Sequence, residues 1–471
     1  LIFLTLLLLT AQLSSAQIYI LNQDGDSIKI EFTMDTLYRD GGEGTVKWTF
    51  TYGKYDTLKP PLIIAPKMLH DYNYSFDYSG LEFEGRQPAI VDTTTGTFYV
   101  RDRNFKDEVT EKHPNYTIEG TYMTIPIIDI KTKKKIVIEN CVFVGAGDFI
   151  HARFPNADVT VKNCVFVGLP PTIKDWPRGK AVYMALGKYI DIQNNYLEQV
   201  RGFYVEESKY DHINIRANKA KNIDGRFSNS GSRGMARNNT YLLRAPAYFI
   251  KLSLVSISSA SIMYNEVINY PNESAIEDFI LVNKNGSHGY GDEYPNLNIE
   301  YNFFYGNWSF PFATQNANYH GAVIRVTGAG TTAITKATHN SAISGKDFRI
   351  ETGNSHWFHY NTKLFSHKQP DGTPYLPTIY SFNVLDPANT QAMSGNQITE
   401  NNIAHVTRIK VSDRDSGQVW DTVAINTTTS YSGNKEAENA TLADEQDEYS
   451  RWRYVATDRG VNIGPFKMVE E

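Results

Sequence analysis

IVIENCVFVG, from Ile136 to Gly145, and VTVKNCVFVG, from Val159 to Gly168, are two versions of one ten-residue run displaced by 23 residues. In each, alternating apolar residues lead into an Asn, a small Cys and Val-Phe-Val. Neither copy can bury its Val and Phe alone, whereas stacked copies bury them against each other. An interval of this size is the length of one coil of a parallel solenoid. The expected fold class is therefore all-β, a single-stranded right-handed parallel β-helix with capped ends.

The signature recurs in weaker form as YIDIQNNYL ending at Leu197, HINIRANKA, GMARNNTYLL, ASIMYNEVI, LNIEYNFFYGN, WFHYNTKLF, TIYSFNVL and QITENNIAHV. With Asn140, Asn163, Asn194, Asn218, Asn238, Asn265, Asn302, Asn340, Asn361, Asn383 and Asn402 as markers, the steps run from 19 to 38 residues. Short steps are bare coils and long ones carry loops. Asn suits such a corner because it tolerates left-handed dihedrals and its amide can bond an equivalent Asn above and below. An asparagine ladder is expected, as a structural feature. Cys141 and Cys164 fall at equivalent places on adjacent coils, about 4.8 Å apart with parallel Cβ vectors, which suits a disulfide poorly. Two buried thiols are expected instead.

LIFLTLLLLT followed by AQLSSAQ reads as a secretory signal peptide over residues 1–16, cleaved after Ala16, with no Cys nearby to carry a lipid. Its apolar run is shorter than the roughly 20 residues needed to span a bilayer. The protein is expected to be secreted or at the cell surface, with no transmembrane segment. Residues 17–59, with IYIL, IKIEFTM and TVKWTFTYG, read as an amino-terminal β cap of one or two hairpins. The solenoid takes 60–435, and 436–471 forms the carboxy-terminal cap or tail, its charged EAENATLADEQDEYSRWRY being compatible with a short helix.

The chain has 471 residues, 46 basic against 52 acidic, with a net charge of −6. A nucleic-acid partner normally demands a net basic face, so that class is set aside. Insertions between coils are where function is expected. Three stand out: Gly168 to Gly187, Asn285 to Pro295 and Gly306 to Gly330. Their Trp176, Tyr290 and Trp308 are candidates for stacking on sugar rings, or else plugs that pin loops to the wall. His356 and His359 in HWFHY fall on opposite faces of an alternating strand, a poor arrangement for a metal.

The repeated pattern, over roughly Pro60 to Ser432, resembles the right-handed parallel β-helix class of secreted and surface proteins. That class includes pectate lyases, polygalacturonases, chondroitinase-B-like lyases and tailspike-type adhesins. Asn462-Ile463-Gly464-Pro465-Phe466 is similar to the Asp-Ile-Gly-Ala-Tyr closure common in exported β-helix proteins of Bacteroidetes. Arg408-Ile409-Lys410 looks like the basic motif of polygalacturonases, but there is no adjacent Asp pair, and Ser287-His288-Gly289 lacks the preceding Gly of their Gly-His-Gly.

VEESKYDHINIRANKAKNIDGRF, from Val205 to Phe227, resembles the chondroitinase-B and alginate-lyase family in outline. That family removes a proton α to a uronate carboxylate with a Lys base, an Arg one coil later and a calcium held by Asn and Glu. The resemblance implies Lys209 as base, Arg226 as neutraliser, and Glu206 or Glu207 at a calcium. It departs where the family's Arg-His-Gly stands as Arg226-Phe227-Ser228. Adjacent Glu206 and Glu207 on a strand also point to opposite faces, so only one could serve such an ion without a bulge. The excess of basic residues between Lys209 and Arg237, including Arg216 and Arg233, is the expected polyanion-binding stretch. Two functions stay open: a lyase acting on extracellular polysaccharide, and a non-catalytic surface or matrix protein that binds glycan or self-assembles.

Overall fold

The computed structural model describes 15–21, 27–36, 46–51, 69–71, 75–91, 96–107, 126–170, 178–225, 247–283, 296–308, 321–327, 334–345, 347–351, 356–375, 382–384, 394–404, 428–432, 435–437 and 440–466. Its contacts divide the chain into two units, Leu1–Lys67 and Met68–Glu471. The first is a three-stranded antiparallel sheet in sequence order, Ser15–Leu21, Ser27–Thr36 and Val46–Thr51.

The second unit is a right-handed parallel β-helix. Three parallel sheets of ten, eleven and eleven strands run its length, each coil giving one strand to each. We call them the first, second and third walls. One coil contributes Ile150–Arg153, Asp158–Lys162 and Val165–Gly168 to them in turn. The 23-residue displacement is borne out as a register: Ile136 pairs with Val159, and Phe143 with Phe166. Alternate residues point inward. Phe105, Phe143 and Phe166 stack face to face at 5.2 and 5.0 Å within a continuous interior of Ile, Val, Leu and Phe.

Between the second and third walls every corner from Arg101 to Asn402 has two residues. The first of the two has positive φ: Asp102, Asn140, Asn163, Asn194, Ala217, Tyr264, Tyr301, His339, Tyr360 and Glu400. The second, from Asn195 upward, is a buried Asn. Asn195, Asn218, Asn265, Asn302, Asn340 and Asn361 each donate both the backbone N–H and Nδ2 to the Oδ1 of the Asn one rung up, at 2.8–3.1 Å, and Asn401 is the acceptor of the last pair. The spare Nδ2 proton goes to a second-wall carbonyl one coil down, as from Asn302 to Ile262 at 2.9 Å.

The expected ladder exists, but its rails differ from the sequence markers. Asn140, Asn163 and Asn194 occupy the strained outer position, Asn383 lies in the first wall, Asn238 is outside the described residues, and Asn401 rather than Asn402 is the topmost rung. Below Asn195 the rung position belongs to Cys164 and Cys141. Both are buried free thiols, with Cys164 N–H still donating to Asn195 Oδ1 at 2.9 Å.

The expected carboxy-terminal helix, Leu442–Asp458 (α1), is opened by a capping box in which Thr441 and Asp444 exchange side-chain to backbone hydrogen bonds. It lays Tyr449 and Trp452 on the third wall against Phe303. Beyond it the chain runs along the outer corner row. Arg459 donates to the hydroxyls of Tyr264 and Tyr301, Gly464 N–H to Ala217 O at 2.8 Å, and Phe466 N–H to Asn163 Oδ1.

Asn302→Ala strips an amide that makes four buried hydrogen bonds and leaves its partners bare. A loss of about 2–4 kcal/mol is expected in denaturant unfolding, and a loss below about 1 kcal/mol would deny the ladder its role. Cys164→Asn adds a rung and is expected to fall within about 1 kcal/mol of the parent or above it.

Candidate functional site

The three walls differ in what they present. The third is covered: Phe76, Tyr78 and Phe83 pack on Val144, Val165, Val167 and Tyr196, while Leu69, Tyr449 and Trp452 close over Phe303 and Tyr305. On the second wall charges pair locally in exposed positions, as with Lys162 and Glu139 at 2.6 Å. At the corner, Tyr264, Tyr301, His339 and Tyr360 stack on one another at 4.7–5.2 Å, so their faces are already used.

The outward face of the first wall concentrates ionisable groups that remain partly open. In chain order, 169–179 and 306–323 lead into its strands from the third wall, and 284–295 lead from it to the second. Of the three stretches read as insertions, Gly168 to Gly187 and Gly306 to Gly330 each contain a first-wall strand, Lys180–Ala185 and Ile324–Thr327, and 285–295 lies outside the described residues.

Asp148, 1% exposed, lies in the turn just before Ile150–Arg153 and is the centre of one such group. Its Oδ1 accepts the Lys180 N–H at 2.6 Å and lies 3.6 Å from the Arg201 guanidinium. Its Oδ2 meets His151 Nε2 at 2.7 Å and Lys180 Nζ at 3.4 Å. Burial alone would push this carboxyl up, but Lys180, His151 and Arg201 overcome it and hold it well below the usual carboxylate range. Burial lowers the Lys180 ammonium, and Asp148 only partly restores it. Glycine sets the backbone here: a Cβ on Gly179 would lie 1.6 Å from Gly147 O, and one on Gly202 1.9 Å from Phe249 O. Only bare backbone lets the strands carrying Lys180 and Arg201 pack this closely.

Around this core are Tyr183, whose ring lies 4.2 Å from Lys180 Nζ and 5.2 Å from the His151 ring, and Tyr204, whose hydroxyl burial pushes up. Burial and Glu206 raise the Tyr183 hydroxyl, which donates to Glu206 Oε2 at 3.2 Å, while Lys251 Nζ holds Oε1 at 2.5 Å. Arg178, paired with buried Asp224 at 2.6 Å, braces the edge through its carbonyl, which accepts from Arg201 Nε at 2.6 Å. The arrangement brings a carboxylate-held imidazole, a phenol and three cations onto one face.

Of the residues expected from sequence, Glu206 belongs to this cluster. Glu207 has left-handed dihedrals one residue on, and Lys209 lies beyond it, both exposed. Arg216 is exposed on the second wall. Trp308 is 1% exposed, donates to Asn269 O at 2.7 Å and packs on Tyr305 and Tyr375, so it plugs the wall rather than facing solvent. Trp176, Arg226, Arg233 and Tyr290 lie outside the described residues. His356 is buried, its Nδ1 accepting the Thr335 N–H at 3.1 Å.

Sequence reasoning missed Asp148, His151, Lys180, Tyr183, Arg201, Tyr204 and Lys251. The signal that finds them is the mutual register of VYMA, FYVE, IKLS and ILVN, in which Tyr183, Tyr204, Lys251 and Leu281 align. No protein-family model, curated protein or solved structure gives a significant match to this chain. Among the described residues no helix is long and apolar enough to cross a membrane.

Further up the wall, buried Asp278 takes the Ala322 N–H on Oδ1, and its Oδ2 lies 4.0 Å from Arg325. Burial raises its carboxyl to about 7 despite Arg325. Arg325 also meets Glu351 at 2.8 Å, and Arg349 meets Asp347 at 2.9 Å.

The two carboxyls tilt stability in opposite directions. Asp148, lowered on folding, contributes fully above the unfolded value of about 4 and is lost as pH falls below it. Asp278, raised, costs nothing below about 4 and costs progressively more as pH rises to about 7. Asp278→Asn is therefore expected to match the parent near pH 4 and to exceed it near pH 8, by about 1–3 kcal/mol in urea titrations. Equal stabilities at both pH values would refute the assignment.

Proposed function

We propose that this is an exported protein that holds a uronate-bearing polysaccharide on the first wall and cleaves it by β-elimination. The observation that carries the reading is the grouping of His151, Lys180 and Arg201 around one buried carboxylate, Asp148, beside the Tyr183 hydroxyl. β-Elimination needs a cation to neutralise the uronate carboxylate, a base for the α-proton and an acid for the departing oxygen.

Lys180 and Arg201 supply the positive field. His151, oriented by Asp148, takes the α-proton; the electron pair forms the new C=C bond as the glycosidic C–O bond breaks. Tyr183 turns its one hydroxyl proton away from Glu206 and gives it to the leaving oxygen, while Glu206, itself held by Lys251, positions the phenol before that step. Arg153, exposed on the His151 strand, extends the cationic surface.

This assignment moves the chemistry off Lys209 and Arg226 while keeping Glu206 in a supporting place. The calcium that the resemblance implies at Glu206 or Glu207 is assigned no part in this proposal; both oxygens of Glu206 are engaged by Lys251 and Tyr183, and Glu207 is exposed with left-handed dihedrals. No step here runs through a metal. The rival reading is a non-catalytic matrix or surface protein that binds the same glycan, favoured by the ion pairing of the cluster's carboxylates.

The test offers alginate, chondroitin, hyaluronan, pectate and ulvan to the protein and follows ultraviolet absorbance of the unsaturated uronate product. Absorbance is expected to rise with one of them, and His151→Ala and Tyr183→Phe are expected to slow it by about 100-fold or more while binding persists. Binding without product would establish the rival, and neither binding nor product would end both.

A further inference from the structure

The first wall changes character along its length. One outward row runs in register from His151 through Tyr204 and Lys251 to Leu281, Arg325 and Arg349. Successive strands stand about 4.8 Å apart. The row follows the solenoid axis, so a chain bound along it lies lengthwise.

Below Leu281 the wall carries Lys131, Arg153, Lys180, Arg201 and Lys251 against Asp129, Asp148 and Glu206. On the strand of Leu281 itself and above it, Arg325 and Arg349 face Asp278, Asp347 and Glu351. The balance passes from basic to acidic at an uncharged residue. Asp278 Oδ2 makes no hydrogen bond within the described residues, although the carboxyl is fully buried. Its surroundings are Tyr248 on the coil below, Arg325 and then Arg349 above, and Glu277 beside it.

We propose that this reversal selects the ligand by charge polarity: carboxylates are accepted over the coils from Asp129 to Lys251 and refused beyond Leu281 by the cluster around Asp278. A bound chain must end there or present an uncharged sugar. Like charges placed opposite one another suppress wrong partners more than they weaken right ones. The inference rests on the glycan reading above and adds where the anionic stretch stops.

The experiment measures, by calorimetry, binding of short oligouronates that fit the lower coils and of long ones that overrun Leu281. Asp278→Asn keeps the acceptor for Ala322 N–H and removes the charge. At pH 8 it is expected to tighten long chains by about three- to tenfold and leave short ones unchanged. The parent's affinity for long chains is expected to weaken as pH rises through about 7, the range in which Asp278 ionises, and the variant's to stay level. Equal effects on both lengths, or a parent insensitive to pH, would overturn the charge stop. Failure of the glycan reading looks different: the parent then binds neither length, or Arg201→Gln leaves short-chain binding intact.

Discussion

Each coil turns from the second wall into the third in two residues, and most of what is distinctive about this molecule follows from that brevity. A turn so short forces its first residue into the left-handed region, where a side chain other than Gly costs roughly 1–2 kcal/mol. It also leaves the second residue's backbone N–H inside the solenoid with no strand partner. The buried Asn answers both needs. Its Oδ1 takes the inward N–H of the coil below, and its Nδ2 ties carbonyls on two coils, so the repeated strain is offset by a hydrogen-bonded column along the axis. On the outside, the strained positions are filled by Asn where the chain's own end docks, and by self-stacked aromatic rings higher up.

The fold was legible because stacking imposes one period on the apolar residues. The Asn at the corner was legible too, but its role was blurred, since both corner positions favour Asn for different reasons. Asn194-Asn195 shows both in one place: the first residue tolerates positive φ, and the second is the rung. In IEN and VKN the Asn is the strained residue, and the rung behind it is Cys. The same letter therefore marks different sites in successive coils. The helix at Leu442–Asp458 was visible only as a charged, helix-compatible stretch, because the face it buries is defined by a wall formed far away in sequence.

The candidate site was the least legible part, and the reason is geometric. A solenoid assembles its outer surface across coils, so neighbours in space are separated by whole turns in sequence. Asp148 meets Lys180 at a separation of 32 residues, and Glu206 meets Lys251 at 45. Local reading favoured VEESK, where charges cluster along one strand, yet the left-handed dihedrals of Glu207 interrupt that strand's alternation. Within that stretch it is Glu206 that reaches the Asp148 cluster, through Tyr183 and Lys251. Trp308 illustrates the opposite trap, a large aromatic in a loop whose indole N–H is consumed by a buried carbonyl.

Solenoids are quasi-one-dimensional: each coil touches only its neighbours, so they can unzip from either end. The segment after α1 breaks that rule. Phe466 bonds Asn163 across 303 residues of sequence, Gly464 reaches Ala217, and Arg459 spans Tyr264 and Tyr301. A strap running lengthwise over several coils converts a stack of separable steps into one cooperative unit, because no coil beneath it can peel away while it is fastened. It also sets an order of events. The coils can form progressively as the chain emerges, but they are locked only when the segment from Arg459 to Phe466 arrives.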